Sequence, residues 1–199
     1  MSKGNRVNKF GWDKGLDYPE TKHKLEKMIK ELSTSDNSRG VINLFYACCA
    51  LCQLENGLRS QEAIEAMLNF LENLSLEEVE VRVRKKKEPV TREVFLPKTI
   101  TRKILEKLRK RVEIQQIKER FEKDPWRASK SYQNWCRRRL GANSHALRYT
   151  FISYHSRRGV SAQILASLTR HSRLDFILAY TSKIQARELL KNWVRGDGK

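Results

Sequence analysis

The run Val41-Ile-Asn-Leu-Phe-Tyr-Ala-Cys-Cys-Ala-Leu-Cys-Gln-Leu54 carries no charged side chain, in a chain whose residues are 32% charged. A helix that is apolar around its circumference has to be enclosed by other elements, so this run reads as a buried helix. It is too short to cross a bilayer, which takes ~20 apolar residues, and no other stretch is long enough. Cys49-Ala-Leu-Cys52 has the spacing of a metal or redox pair, but no second pair accompanies it among the cysteines, which are Cys48, Cys49, Cys52 and Cys136. Small reduced cysteines suit an apolar helix, so core packing is expected here and no metal. Asn56-Gly57 suits a left-handed helix end.

The other elements follow from periodicity. At 199 residues and 39% apolar content, the chain suits one domain with a substantial core. Residues 1–18, with Gly4, Gly11 and Gly15, read as a flexible arm, and residues 19–199 as the domain. Leu25, Met28, Ile29 and Leu32 predict a helix from Pro19 to Leu32, and the Ser33–Gly40 turn cluster caps the next one. A third helix starts near Ser60. Val79, Val81 and Val83 alternate with Glu80 and Arg82, and Thr91 to Leu96 returns after Glu88-Pro89, which predicts a basic β-hairpin. Strand parity puts Val79, Val81, Val83, Lys85 and Lys87 on one side and Lys86 on the other.

From Thr99 the reading is helical. Ile104, Leu105, Leu108 and Val112 form one stripe that continues through Ile117 and Phe121 until Asp124-Pro125 breaks it. Ser144 is expected to cap the helix holding His145 and Arg148, and Gly159 to end it. Helices over 162–169 and 173–180 follow, then an amphipathic tail over 184–194. The fold class expected is α+β and mainly helical, with a small antiparallel hairpin.

Charge narrows the partners. With 41 Lys+Arg against 23 Asp+Glu, the net charge is +18, which favours a polyanion because each neutralised phosphate releases counterions. No basic amphipathic helix of the interfacial kind stands out, so a membrane partner is not expected. Met1-Ser-Lys-Gly-Asn-Arg6 lacks the apolar core of a signal peptide, and cytoplasmic residence associated with the nucleoid is expected.

Near the C-terminus lie His145, Arg148, His171 and Tyr180, preceded by Arg59 and by Lys85-Lys86-Lys87. Each alone has an ordinary explanation: a solvated arginine, a packed histidine, a tyrosine at the core edge, or lysines that keep a strand edge soluble. As an ordered set they fit one reaction. A phenol is a poor nucleophile until a proton acceptor and nearby cations favour phenolate. Arginine forks suit the equatorial oxygens of a phosphorane-like transition state, and a lysine could protonate the leaving oxygen. His145 and Arg148, three residues apart (148 − 145), share a helix face. The resulting phosphotyrosine ester keeps the bond energy for rejoining, so no cofactor is expected.

Gly57-Leu-Arg-Ser-Gln-Glu62, His145-Ala-Leu-Arg-Tyr-Thr-Phe-Ile-Ser153, Gly159-Val160, Leu168-Thr-Arg-His-Ser172 and Ala179-Tyr-Thr181 resemble the boxes of the tyrosine recombinases, or phage-type integrases, across roughly residues 20 to 195. The resemblance implies that Tyr180 is the nucleophile and forms a 3′-phosphotyrosyl link. It implies that Arg59 and Arg148 clamp the scissile phosphate, His145 assists proton transfer at the tyrosine, and His171 hydrogen-bonds the phosphate. Lys85 or Lys87 is the general acid, and the sequence does not choose between them. Arg84, Lys86, Arg137, Arg138, Arg139 and Arg170 are expected to contact DNA. The implied partners are double-stranded DNA and, on it, further copies of the chain in a tetrameric synapse, with a monomer when free and residues 184–194 docking on a neighbour or back in cis. Integration or excision of a mobile element is the implied role.

Two departures stand out. The family usually has glycine where this chain has Arg170. It also commonly carries a separate N-terminal helical domain, for which the roughly 35 residues before the Val41 helix are too few. A fragment, a short stand-alone enzyme and half of a split gene all fit. A type IB topoisomerase-like relaxing enzyme and a non-catalytic DNA-binding regulator are the alternatives.

Overall fold

The computed structural model describes residues 16–83 and 90–170, together with Ile177, Ala186, Leu190, Val194 and Arg195. Arg84, Lys85, Lys86, Lys87, His171 and Tyr180 lie outside the described residues, as do most of the expected arm and tail.

Among the described residues, the chain forms eight helices and one two-stranded sheet: α1 (Tyr18–Leu32), α2 (Ser38–Asn56), α3 (Ser60–Glu72), β1 (Glu78–Arg82), β2 (Thr91–Phe95), α4 (Arg102–Arg109), α5 (Val112–Lys123), α6 (Pro125–Leu140), α7 (Ser144–Arg157) and α8 (Ala162–Thr169). The expected α+β, mainly helical class with its antiparallel hairpin is what the chain adopts. Several helix starts carry side-chain caps. Asp17 accepts from the Glu20 N–H at 2.9 Å, Asn37 from Gly40 at 2.8 Å and Asp124 from Arg127 at 2.9 Å. Tyr18, assigned to the arm on sequence, is the first residue of α1, and it packs with Leu16 on the core.

α2 is the axis of the molecule. Every residue from Leu44 to Leu54 is buried, and the helix packs against α1, α3, α5, α6, α7 and β2. Its three cysteines and Cys136 of α6 are enclosed and unbridged, and burial pushes the Cys52 and Cys136 thiols up to about 12, which makes them inert packing groups. The helix ends at Gly57, in the left-handed region at φ 62°. A Cβ there would lie 2.6 Å from the Phe151 ring, so only glycine allows α7 to approach this closely.

The hairpin pairs Glu78 with Phe95 through Arg82 with Thr91. Val79, Val81, Val83 and Val94 are buried as strand parity requires, and α3 covers the sheet. The same parity turns Arg92 inward.

Two sequence expectations need correction. The stripe from Ile104 to Phe121 is not one helix, because the chain turns at Lys110-Arg111 and leaves Val112 exposed. Arg111 is extended there and donates to the Asp36 carbonyl at 2.7 Å, while Lys107 reaches the Ser33 carbonyl at 2.7 Å. These ties to the α1–α2 turn hold α4 in place, and the break lets Ile114, Ile117 and Phe121 face the core. The cap of α7 is Asn143 rather than Ser144. The Asn143 side chain accepts from Ala146 at 3.0 Å, and the buried Ser144 instead meets the Ser60 hydroxyl at 2.7 Å.

Candidate functional site

The carboxyl end of α2 is where the site is built. A helix end leaves carbonyls without intrahelical donors and carries partial negative charge. Here guanidinium groups meet it. Arg148, from the second turn of α7, donates through Nη1 to the Gly57 carbonyl at 2.7 Å and through Nη2 to the Thr169 carbonyl at 2.5 Å. Arg92, from β2, donates through Nη2 to the Asn56 carbonyl at 2.6 Å, with Nη1 at 3.5 Å from the Gly57 carbonyl. Arg59 precedes α3 and donates through Nη2 to the Arg170 carbonyl at 3.3 Å.

One carboxylate serves all three. Glu62 accepts from the Arg59 backbone N–H at 3.0 Å and from Arg59 Nη1 at 2.7 Å. Its Oε2 lies 3.6 Å from Arg92 Nη1 and 3.9 Å from Arg148 Nη1. Side-chain exposures are 16% for Arg59, 6% for Arg92 and 1% each for Arg148 and Glu62, so Arg59 forms the rim and Arg148 lies behind it. Among the described residues, three cations against one anion leave a surplus of two positive charges in a largely dry place. Burial, and next the charge of Arg59, push the Arg148 pKa down to about 9 against the pull of Glu62. Burial also lowers that of Arg92. An anion entering the cluster would relieve both effects.

Buried hydrogen bonds fix the two arginine-bearing segments to each other. Gln53, fully enclosed in α2, donates to the Leu58 carbonyl at 3.0 Å and the Ser144 carbonyl at 2.9 Å, and accepts from the Tyr132 hydroxyl at 2.6 Å. Asn56 pairs with both backbone groups of Phe95 at 2.9 Å, which ties the hairpin base to the same helix end.

Of the residues singled out on sequence, the structure brings Arg59 and Arg148 together from segments 89 residues apart (148 − 59). His145 lies on α7 one turn before Arg148, exposed, with its ring edge-on to Tyr149 at 5.0 Å. Arg170 is exposed and left-handed, at φ 51° and ψ 44°, and its carbonyl belongs to the cluster. The backbone conformation that glycine would adopt freely is therefore present, carried by arginine. Arg137 and Arg138 do not join the cluster. They line a separate groove with Tyr46, Ile117 and Arg120, and Arg139 is exposed. Sequence reading missed Glu62, Arg92 and Gln53 as parts of the site. Parity with Val94 marked Arg92 as inward-facing, and Gln53 was one of two amides, with Asn43, inside an apolar run.

No protein-family model matches the chain. Uncharacterized protein MJ0770 of Methanocaldococcus jannaschii is 34% identical over 199 residues, covering 91% of this chain and 88% of that protein. Putative integrase ORF241 of Acidianus two-tailed virus is 29% identical over 184 residues, covering 90% of this chain and 68% of that protein. Among solved structures, the XerA recombinase crystal structure is similar with a TM-score of 0.46 and 13% identity, over 87% of this chain; this chain spans 62% of its length. Both sequence matches span at least 90% of this chain, and the one to a putative integrase agrees with the resemblance of its two arginine boxes to the tyrosine recombinases.

Proposed function

We propose that this chain breaks and rejoins DNA strands in site-specific recombination, through a covalent bond between Tyr180 and a 3′-phosphate. The observation that carries this reading is the convergence, among the described residues, of three arginines from three segments on the single carboxylate of Glu62, held by buried hydrogen bonds. A phosphodiester is the anion that such planar forks recognise in DNA. His171 directly follows Arg170, whose carbonyl takes a hydrogen bond from Arg59, and Tyr180 comes three residues (180 − 177) after the buried Ile177.

The steps are those of a displacement at phosphorus. The Tyr180 oxygen attacks the scissile phosphorus as its proton passes to His145. Arg59 and Arg148, assisted by His171, hold the equatorial oxygens as the bond to the 5′-oxygen breaks. Lys85 or Lys87 protonates that leaving oxygen, and the reverse sequence rejoins a strand. Because Arg148 is 1% exposed, a phosphate reaches it only after the chain around it opens. The partners proposed are duplex DNA and further copies of the chain assembled on it, in the movement of a mobile element.

A duplex nicked near the cleavage site tests this. The short strand released after attack diffuses away, so the adduct accumulates, and mapping should find DNA on Tyr180. Tyr180→Phe should abolish trapping, and undiminished trapping would refute the assignment. Cleavage confined to a short inverted repeat marks a recombinase, while relaxation of any supercoiled plasmid marks a topoisomerase. Salt-sensitive binding with no adduct marks a regulator.

A further inference from the structure

Arg92 is a third guanidinium that two phosphate-clamping arginines do not require. It comes from β2, the strand on the return side of the lysine-bearing hairpin, and it faces the same two acceptors as Arg148. Arg148 Nη1 is 2.7 Å from the Gly57 carbonyl and 3.9 Å from Glu62 Oε2. Arg92 Nη1 is 3.5 Å from that carbonyl and 3.6 Å from that oxygen. Arg92 is anchored by its short bond to the Asn56 carbonyl at 2.6 Å. Its Nε is buried with no hydrogen-bond partner among the described residues. It therefore has donor capacity in reserve beside acceptors that Arg148 now holds.

We propose that Arg92 is a positioning residue that takes over the Gly57 carbonyl and Glu62 as Arg148 turns from them to the substrate phosphate. This inference rests on the phosphate-clamp reading. Without Arg92, the turn of Arg148 toward phosphate leaves a buried carbonyl and a buried carboxylate oxygen poorly paired, and that penalty is charged against anion binding. With Arg92 in place the two acceptors remain paired throughout. The residue also ties the hairpin to the clamp, because Arg92 and Asn56 are the points where β2 and its end meet the helix that Arg148 caps.

The test is calorimetric titration of the full chain with tungstate, a phosphate-like oxyanion, in a Tyr180→Phe background so that strand cleavage plays no part. Arg92→Met should weaken tungstate binding roughly tenfold, whereas Arg92→Lys, which keeps a charge able to pair with Glu62, should stay within about threefold. In a Glu62→Gln background the Arg92→Met effect should shrink, because one of the two shared acceptors is then neutral. If Arg92→Met does not fold, Arg92→Gln against Arg92→Lys carries the comparison. Binding by Arg92→Met equal to the unaltered chain overturns the inference, as does an equal loss in the Lys and Met variants when both melt like the unaltered chain. Absence of any tungstate binding by the unaltered chain overturns the phosphate-clamp reading itself.

Discussion

Arg148 and Glu62 are each 1% exposed and stand 3.9 Å apart, yet Arg148 makes its short 2.7 Å bond to the Gly57 carbonyl and not to the carboxylate. Glu62 is committed to Arg59 on one side and shared between Arg92 and Arg148 on the other. The pairing leaves Arg148 a cation held by carbonyl dipoles, a grip that an incoming phosphate can compete with more readily than a tight buried ion pair.

The same arrangement makes Glu62 the keystone of stability. Glu62→Gln leaves three clustered guanidiniums without their anion, and breaking a buried pair of this kind costs about 3–5 kcal/mol. Denaturant unfolding should show that loss, and added sulfate should restore part of it by occupying the cluster. An unfolding midpoint unchanged from the parent, with or without sulfate, contradicts this account.

Gly57→Ala is expected to be costly for two independent reasons. The residue sits at φ 62°, and the new methyl group would lie 2.6 Å from the Phe151 ring and 3.0 Å from Thr169. Left-handed strain of about 1 kcal/mol and overpacking of about 1–3 kcal/mol should together lower stability by roughly 2–4 kcal/mol. A cost below ~1 kcal/mol would mean that α7 and α8 give way easily there.

Arg170 yields a prediction of opposite sign. It is the non-glycine residue with positive φ among the described residues, at 51°. Arg170→Gly should stabilise the isolated chain by up to about 1 kcal/mol, measured as a rise in melting temperature, while weakening DNA binding if the side chain contacts phosphate. Arg170→Ala, which keeps the strain, should not stabilise.

These residues also indicate what could be read from the chain alone. Elements were legible where one physical signal dominated: the uncharged Val41–Leu54 run, the valine alternation, and the caps before Gly40 and Pro125. The helix break at Lys110-Arg111 was not legible, because the apolar stripe continues across it and the cause lies in Asp36 and Ser33, more than seventy positions earlier (111 − 36 = 75). Arg59 and Arg148 were found because their chemistry is specific to phosphate and their boxes are ordered. Arg92 and Glu62 were not singled out, although strand parity turns Arg92 inward and Glu62 closes the Gly57–Glu62 box, because their part in the site appears only where three segments converge.

His155 gives a pH dependence whose sign follows from its surroundings. The ring packs on Phe151 at 4.4 Å and edge-on to Tyr18 and Tyr154, with Arg158 nearby at the C-cap of the same helix. Burial first, and the Arg158 charge second, hold its pKa below the ordinary 6.5. The unfolded chain therefore takes up the proton first as pH falls. The stability tied to neutral His155 is full above pH 6.5 and is lost as pH falls through the depressed folded value. His155→Phe should flatten the melting temperature over that window, and an unchanged profile would exclude His155 as the source.

Gln53 connects the fold to the chemistry most directly. Its amide bridges the Leu58 carbonyl just before Arg59 and the Ser144 carbonyl just before His145, while its oxygen receives the Tyr132 hydroxyl. Gln53→Leu keeps the apolar character of α2 but takes a partner from the Leu58 carbonyl, the Ser144 carbonyl and the Tyr132 hydroxyl in the core, and a buried group left unpaired costs about 1–3 kcal/mol. Relaxation of the neighbours should bring the measured loss to roughly 3 kcal/mol. The distinctive consequence lies at the site: the two arginine-bearing segments lose one brace, and the Ser60–Ser144 hydroxyl contact and the Arg148 bond to the Gly57 carbonyl, both at 2.7 Å, remain. Amide exchange near Leu58 and Ser144 should accelerate together, and covalent trapping on nicked DNA should fall more than duplex affinity does. Equal losses in trapping and affinity would mean that Gln53 serves the core alone.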